Sequence, residues 1–182
     1  DAHCHLDFAL FDADREALIE QCAEVGVRIL VVPGVARDNW DSVLELSAKF
    51  SAIYCCVGLH PYFLEKHKKG DIAALESVLL THKEIVAVGE IGLDLTKGDL
   101  DRQLMLFESQ VDLANRFKLP VVMHSRKTHD LLLQIIKRKS LVSGGLLHGF
   151  SGSIDQAAAF WKAGVYLGAG GVITYDRAKK TR

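Results

Sequence analysis

Short apolar, β-branched runs alternate with helix-like stretches along the 182-residue chain, and this alternation restricts its fold more than any other feature. The runs fall at 2–6, 28–33 (RILVVP), 53–59 (IYCCVGL), 85–91 (IVAVGEI), 120–124 (PVVMH), 145–148 (GLLH) and 165–168 (VYLG). Between them lie the amphipathic segments ADREALIEQCAEVG, DNWDSVLELSAKF, DIAALESVLLTHKE, LDRQLMLFESQVDLANRFK, THDLLLQIIKRK and SIDQAAAFWKAG. Gly26 suits the position just past a helix end, and Asp38 and Asp71 suit N-caps. Near-continuous apolar strands covered by helices imply a parallel sheet. Two architectures follow: an open doubly wound sheet or a (β/α)8 barrel. No G-x-G-x-x-G follows the first run, which weighs against a dinucleotide-binding sheet. Seven strand candidates approach the eight of a barrel, which typically takes about 250 residues. The expectation is an α/β fold of TIM type. Residues 1–182 would form a single domain, C-terminally incomplete, with the eighth strand and last helices outside them.

Composition narrows the function. The chain is 49% hydrophobic and 25% charged with a formal net charge of −1, so no global basic field exists to draw in nucleic acid. Phosphate would have to be met locally, by metals or a few cations. Cys4, Cys22, Cys55 and Cys56 lack metal-type C-x-x-C spacing and read as free thiols of a reducing compartment, so a cytoplasmic location is expected. No apolar run is long enough to span a membrane, and a monomer is the default.

Polar residues recur at the C-terminal ends of the runs. The chain opens DAHCHLDF; alternation on a strand would put His3 and His5 on one face and turn Cys4 away. His60 follows the third run, Glu90 ends the fourth, His124 the fifth and His148 the sixth. In a parallel barrel these ends meet on one face, where active sites sit. Each residue taken singly has an ordinary explanation, as a core histidine, a cap or a turn. Four strand ends carrying His or Glu in one register point instead to a metal site built from His3, His5, Glu90, His124 and His148. Four imidazoles and a carboxylate suit zinc or another divalent transition metal, and the two oxygens of Glu90 allow it to bridge two ions. Such a pair of ions activates water on a phosphoester without a Ser or Cys nucleophile. His60, Asp94 and Arg126 are candidate substrate-binding residues. Ser125 and Ser151 have no adjacent base and read as loop or capping residues. The glycines of LGAGGVITYDR suit a tight turn or a phosphate site. The basic runs KHKKG (66–70) and RAKKTR (177–182) suit a solvated surface or a nucleic-acid backbone. His67, His82 and His129 receive no role.

Taken in order, DAHCHLDF, GLHP, VGEIGLD, HSR and HGFSGS resemble the TatD-like metal-dependent deoxyribonucleases of the amidohydrolase superfamily of TIM barrels. The resemblance covers essentially all of the 182 residues. It implies a first ion on His3 and His5, Glu90 as the bridge, and a second ion on His124 and His148. It also implies hydrolysis of DNA phosphodiesters by metal-bound water, supported by one or two ions of zinc, magnesium or manganese. The family carries a further aspartate in a Thr-Asp-x-Pro-type motif on the eighth strand, expected to act on that water. No such motif occurs up to Arg182, and Asp176 in ITYDRAKK does not match it. The residues stop roughly 70 short of a typical barrel. An open barrel would leave strand edges exposed, so the expectation is a chain that continues. A chain ending at Arg182 would have a weakened first site and little turnover. Two other readings stand beside the nuclease: a barrel hydrolase of small esters, amides or phosphoesters, and a non-catalytic chain.

Overall fold

Each amphipathic segment forms a helix where its spacing predicts one. These are α1 (Arg15–Glu24), α2 (Trp40–Lys49), α3 (Asp71–Thr81), α4 (Leu100–Phe117), α5 (His129–Lys139) and α6 (Ile154–Lys162). The computed structural model describes residues 1–176, so RAKKTR lies outside the described residues. Among the described residues six strands alternate with the helices: β1 (Leu30–Pro33), β2 (Ile53–Val57), β3 (Ala87–Asp94), β4 (Val121–Arg126), β5 (Gly145–Leu147) and β6 (Val165–Leu167). All neighbours pair in parallel, and their order in space is their order in the chain. A doubly wound sheet reverses order at a switch point; sequential winding is that of a TIM-type barrel.

The first run departs from expectation. Residues 2–6 lie beside β1, where Val31 N–H donates to Asp1 O and Cys4 N–H to Val31 O, both at 3.0 Å. A regular parallel ladder would use the N–H of His3 there. That N–H donates instead to Asp1 Oδ1 at 2.9 Å, which slips the ladder by one residue and ends it. Two caps also differ. Asn39, not Asp38, precedes α2; its Oδ1 accepts from the N–H groups of Val35 and Ala36, while Asp38 pairs with Lys66 at 3.0 Å. Gly70 caps α3, and the Asp71 carboxylate folds back to accept from Lys68 N–H at 2.7 Å. Gly26, at φ +88°, stands just past α1 as expected.

Strand residues divide between two faces. Val32, Cys55, Val57, Val88, Ile91, Leu93, Val121, Met123 and Leu147 pack with the helices in one continuous core. On the inner face Cys56, Ala87 and Val122 form a separate apolar layer with Val31 and Leu146. From α4, Leu106, Phe107, Val111, Leu113 and Ala114 enter the core at helical spacing, together with two fully buried amides, Gln103 and Gln110. All four cysteines are free thiols, and among the described residues no helix is long and apolar enough to cross a membrane.

Candidate metal centre

The inner face changes character part-way along each strand. Side chains two apart share a face, so apolar Val122 and Leu146 are followed inward by His124 and His148. Glu90 arrives by another route. Strict alternation from Val88, which packs toward the helices, would send Glu90 the same way. The β3–β4 register shifts between Val88 and Ile91, and Ile91 and Leu93 resume the helix-facing positions. Such a bulge re-aims a side chain; here it turns Glu90 into the interior. Gly92 completes the approach. Its φ is +142°, and a Cβ there would lie 2.0 Å from His124 O, so only glycine fits.

Glu90 is 1% exposed and ringed by imidazoles. Its Oε2 lies 2.7 Å from His3 Nε2 and 3.3 Å from His5 Nε2. Its Oε1 lies 2.7 Å from His148 Nε2, 2.9 Å from His60 Nε2 and 3.3 Å from His124 Nδ1. His124 Nδ1 and His148 Nε2 face each other at 3.3 Å. Ligands on an ion held by bonds of about 2.0–2.1 Å sit roughly 3 Å apart, which is the spacing found. The donor atoms of His3, His5 and Glu90 lie within 4.8 Å of one another, and so do those of His60, Glu90 and His124. The residues present therefore fit a divalent ion on each side of the carboxylate.

Hydrogen bonds separate the roles of the rings. His60 Nδ1 accepts from Tyr62 N–H at 2.9 Å, so the proton of the neutral ring sits on Nε2 and is donated to Glu90. His60 is buried and its ring supports the carboxylate. Asp94 is fully buried: its Oδ2 lies 3.4 Å from His124 Nε2, while Oδ1 accepts from the N–H and hydroxyl of Thr96. Asp7 stands in the same relation to His5, with Oδ1 4.0 Å from Nδ1 and Oδ2 held by Asn39. These four facing atoms, His5 Nδ1, Asp7 Oδ1, His124 Nε2 and Asp94 Oδ2, are buried without a hydrogen bond. A carboxylate behind a ligating histidine fixes the ring and raises its basicity. Arg126 is exposed at the end of β4, next to Ser125 and His124.

Burial alone would push the Glu90 carboxyl up; hydrogen bonds from His124, His148, His3 and His5 outweigh it and hold the group well below its usual range. Burial lowers His60, against the opposing pull of Glu90. At His5 burial also works against protonation, but the hydrogen bond and charge of Glu90 win and raise it. Asp94 is lowered: burial opposes this, and the Thr96 bonds prevail.

The shell contains residues that the strand-end pattern does not single out. Gln110 Oε1 accepts from Leu59 N–H at 2.7 Å and its Nε2 donates to Leu59 O at 3.2 Å, fixing the backbone beside His60. Gln103 makes the same pair of bonds with Asp94, at 2.9 and 3.1 Å. Their only sequence signal is two amides seven apart on the apolar face of α4. His67 is buried, with Nε2 2.8 Å from His60 O and its own carbonyl bonded by Arg102. A cleft of about 540 Å³ opens beside His3 and His148, lined in part by Gly168 and Gly170 of the glycine run.

Parallel strands wound in barrel order, with histidines gathered around a buried glutamate that lies within β3 and not at its end, have the arrangement of a metal-dependent hydrolase. The family described as TatD related DNase matches residues 1–182. Over its whole length the chain is 45% identical to an uncharacterized metal-dependent hydrolase of Escherichia coli K12, YjjV, and spans 71% of it. The crystal structure of that TatD homologue superposes with a TM-score of 0.93 at 44% identity, covering 98% of this chain and 70% of the other. A 3'-5' ssDNA/RNA exonuclease, TatD of Shigella flexneri, is 25% identical over 97% of this chain and 69% of its own. The chain belongs to the TatD family of metal-dependent hydrolases.

Proposed function

We propose that the chain hydrolyses phosphodiester bonds in DNA, with His3, His5 and Glu90 holding one divalent ion and Glu90, His124 and His148 a second. The observation that carries this is the division of five imidazole nitrogens, all within 3.3 Å, between the two oxygens of one buried carboxylate. Ions held by these residues would supply Lewis acidity that lowers the pKa of a water beside a phosphoester. The chain's own residues prepare the site. His60 donates to Glu90 and keeps it oriented, Asp7 and Asp94 stand behind His5 and His124, and Arg126 offers a guanidinium to a phosphate oxygen. The imidazole-rich donor set favours zinc, with manganese or magnesium as alternatives. The nuclease name of the Shigella relative supports the nucleic-acid substrate.

Protein loaded in turn with zinc, manganese or magnesium should release nucleotides from labelled single- or double-stranded DNA. Glu90→Gln should lower both metal content and release, by at least tenfold for the latter. Absence of release with all three ions would refute the proposal. A second reading, hydrolysis of a small ester, amide or phosphoester, is favoured by the net charge of −1. Turnover on such a panel well above that on DNA would select it.

A further inference from the structure

We propose that the exposed rings of Tyr62 and Phe8 are nucleobase-stacking positions, one on each side of the metal centre, so that the strand seated there presents unpaired bases across the cleaved bond. This rests on the phosphodiester reading above and adds the residues that would grip the substrate.

The rings are continuous with the centre. Phe8 stacks on His5 with centroids 4.8 Å apart and planes 11° apart. His5 meets His3, and His3 stacks on His148 at 3.8 Å. On the other side His124 meets His60 at 4.5 Å, His60 meets Phe63 at 5.8 Å, and Phe63 meets Tyr62 at 5.3 Å. Phe8 thus adjoins the Oε2 side of Glu90, and Tyr62 adjoins the Oε1 side. Scattered apolar residues on a surface are ordinary. These two are different because each ends a run of ring contacts that starts at the metal-binding histidines. They remain open, at 38% exposure for Phe8 and 45% for Tyr62.

Both are held in place before any ligand arrives. Tyr62 sits in the 3-10 turn Pro61–Lys66, and its N–H is the donor to His60 Nδ1. The Phe8 carbonyl accepts from Phe11 N–H and from Arg15. A stacking platform that is already ordered loses little freedom on binding. Charge is arranged to match. Lys97 Nζ lies over one face of the Tyr62 ring, 3.5 Å from its centroid, so a base would stack on the opposite face, with the ammonium behind the ring. Arg126 and Lys127 are exposed at the end of β4, and Lys68 and Lys69 are exposed beyond Tyr62. With no global positive field, these local cations would track the backbone while the rings take the bases, the combination that binds single strands without regard to sequence. A paired duplex offers no free base face except at its ends. The chemical class of ligand is therefore an unpaired oligonucleotide.

The test compares Tyr62→Leu, Phe8→Leu and Tyr62→Phe with the unaltered protein. Binding of a fluorescein-labelled oligothymidylate is read by anisotropy, and kcat/KM is measured on that strand and on bis(p-nitrophenyl) phosphate. Loss of one stacking ring should weaken strand binding by about 5- to 100-fold. The ratio of strand to bis(p-nitrophenyl) phosphate kcat/KM should fall by a similar factor. Tyr62→Phe keeps the ring and should restore both. If the unaltered protein cleaves the strand and both leucine variants bind and cleave it equally well, the stacking assignment is overturned and the nuclease reading stands. If the unaltered protein turns over bis(p-nitrophenyl) phosphate but neither binds nor cleaves any strand, the nuclease reading falls, and this assignment with it.

Discussion

Replacing Gln110 by methionine isolates the part that α4 plays in holding the centre. Methionine keeps the length of the side chain and adds no branch, so packing in the core changes little. What goes is the pair of bonds to the N–H and carbonyl of Leu59, at 2.7 and 3.2 Å, in a fully buried setting, together with a bond to the Leu106 carbonyl of the same helix at 3.2 Å. Each buried backbone group left unpaired costs about 1–3 kcal/mol. Two such groups, offset in part by no longer burying an amide, give an expected loss of about 2–4 kcal/mol. That is a large share of the ~5–15 kcal/mol by which a domain is stable. At about 2–4 °C per kcal/mol for a chain of this size, the midpoint of thermal unfolding should fall by roughly 5–15 °C. Urea unfolding followed by circular dichroism gives the free energy directly, and Gln21→Met, on an exposed helix surface, should stay within about 0.5 kcal/mol. A Gln110→Met protein equally close to the unaltered one would mean that the Leu59 backbone finds water or another partner and that Gln110 does not hold it.

Two further outcomes follow from buried titratable groups. Burial lowers the His67 pKa from 6.5, so the unfolded chain binds the proton more readily. Stability from this group is complete above pH 6.5 and is lost as pH falls through 6.5 toward the lower folded value; His67→Gln should flatten that slope in urea titrations between pH 5 and 7. Burial raises the Cys4 thiol to about 11, so Cys4 should react with iodoacetamide at pH 8 far more slowly in the folded protein than in urea, by mass spectrometry of the labelled peptides.

Much of this architecture is legible along the chain because short, near-continuous apolar runs stand apart from segments of period 3.6. They locate the six strands and six helices of the described residues, while the seventh run, 2–6, forms no regular strand, and strand ends in a parallel sheet bring His124 and His148 together by topology alone. Less visible are features in which a side chain competes with the backbone. The ladder at His3 is broken by the carboxylate of Asp1, and Asp71 bonds backward to Lys68 instead of capping α3. Alternation applied to β3 would place Glu90 among the helices, and only the register shift brings it inward. Asp94 reads as a candidate substrate-binding residue, and nothing local reveals that Gln103 and Thr96 hold it behind His124. Gln103 and Gln110 look like lapses in an apolar face; their purpose lies in contacts with distant loops.

The two oxygens of Glu90 belong to one rigid group, and this has a thermodynamic consequence. On the two-ion reading, an occupant that drew Oε2 toward His3 and His5 would also turn Oε1 relative to His124 and His148. Occupancy of the two sides would then be linked, and linkage is reciprocal. By whatever factor the first occupant changed the affinity for the second, the second would change the affinity for the first. The affinity of either half would then have to be stated together with what fills the other.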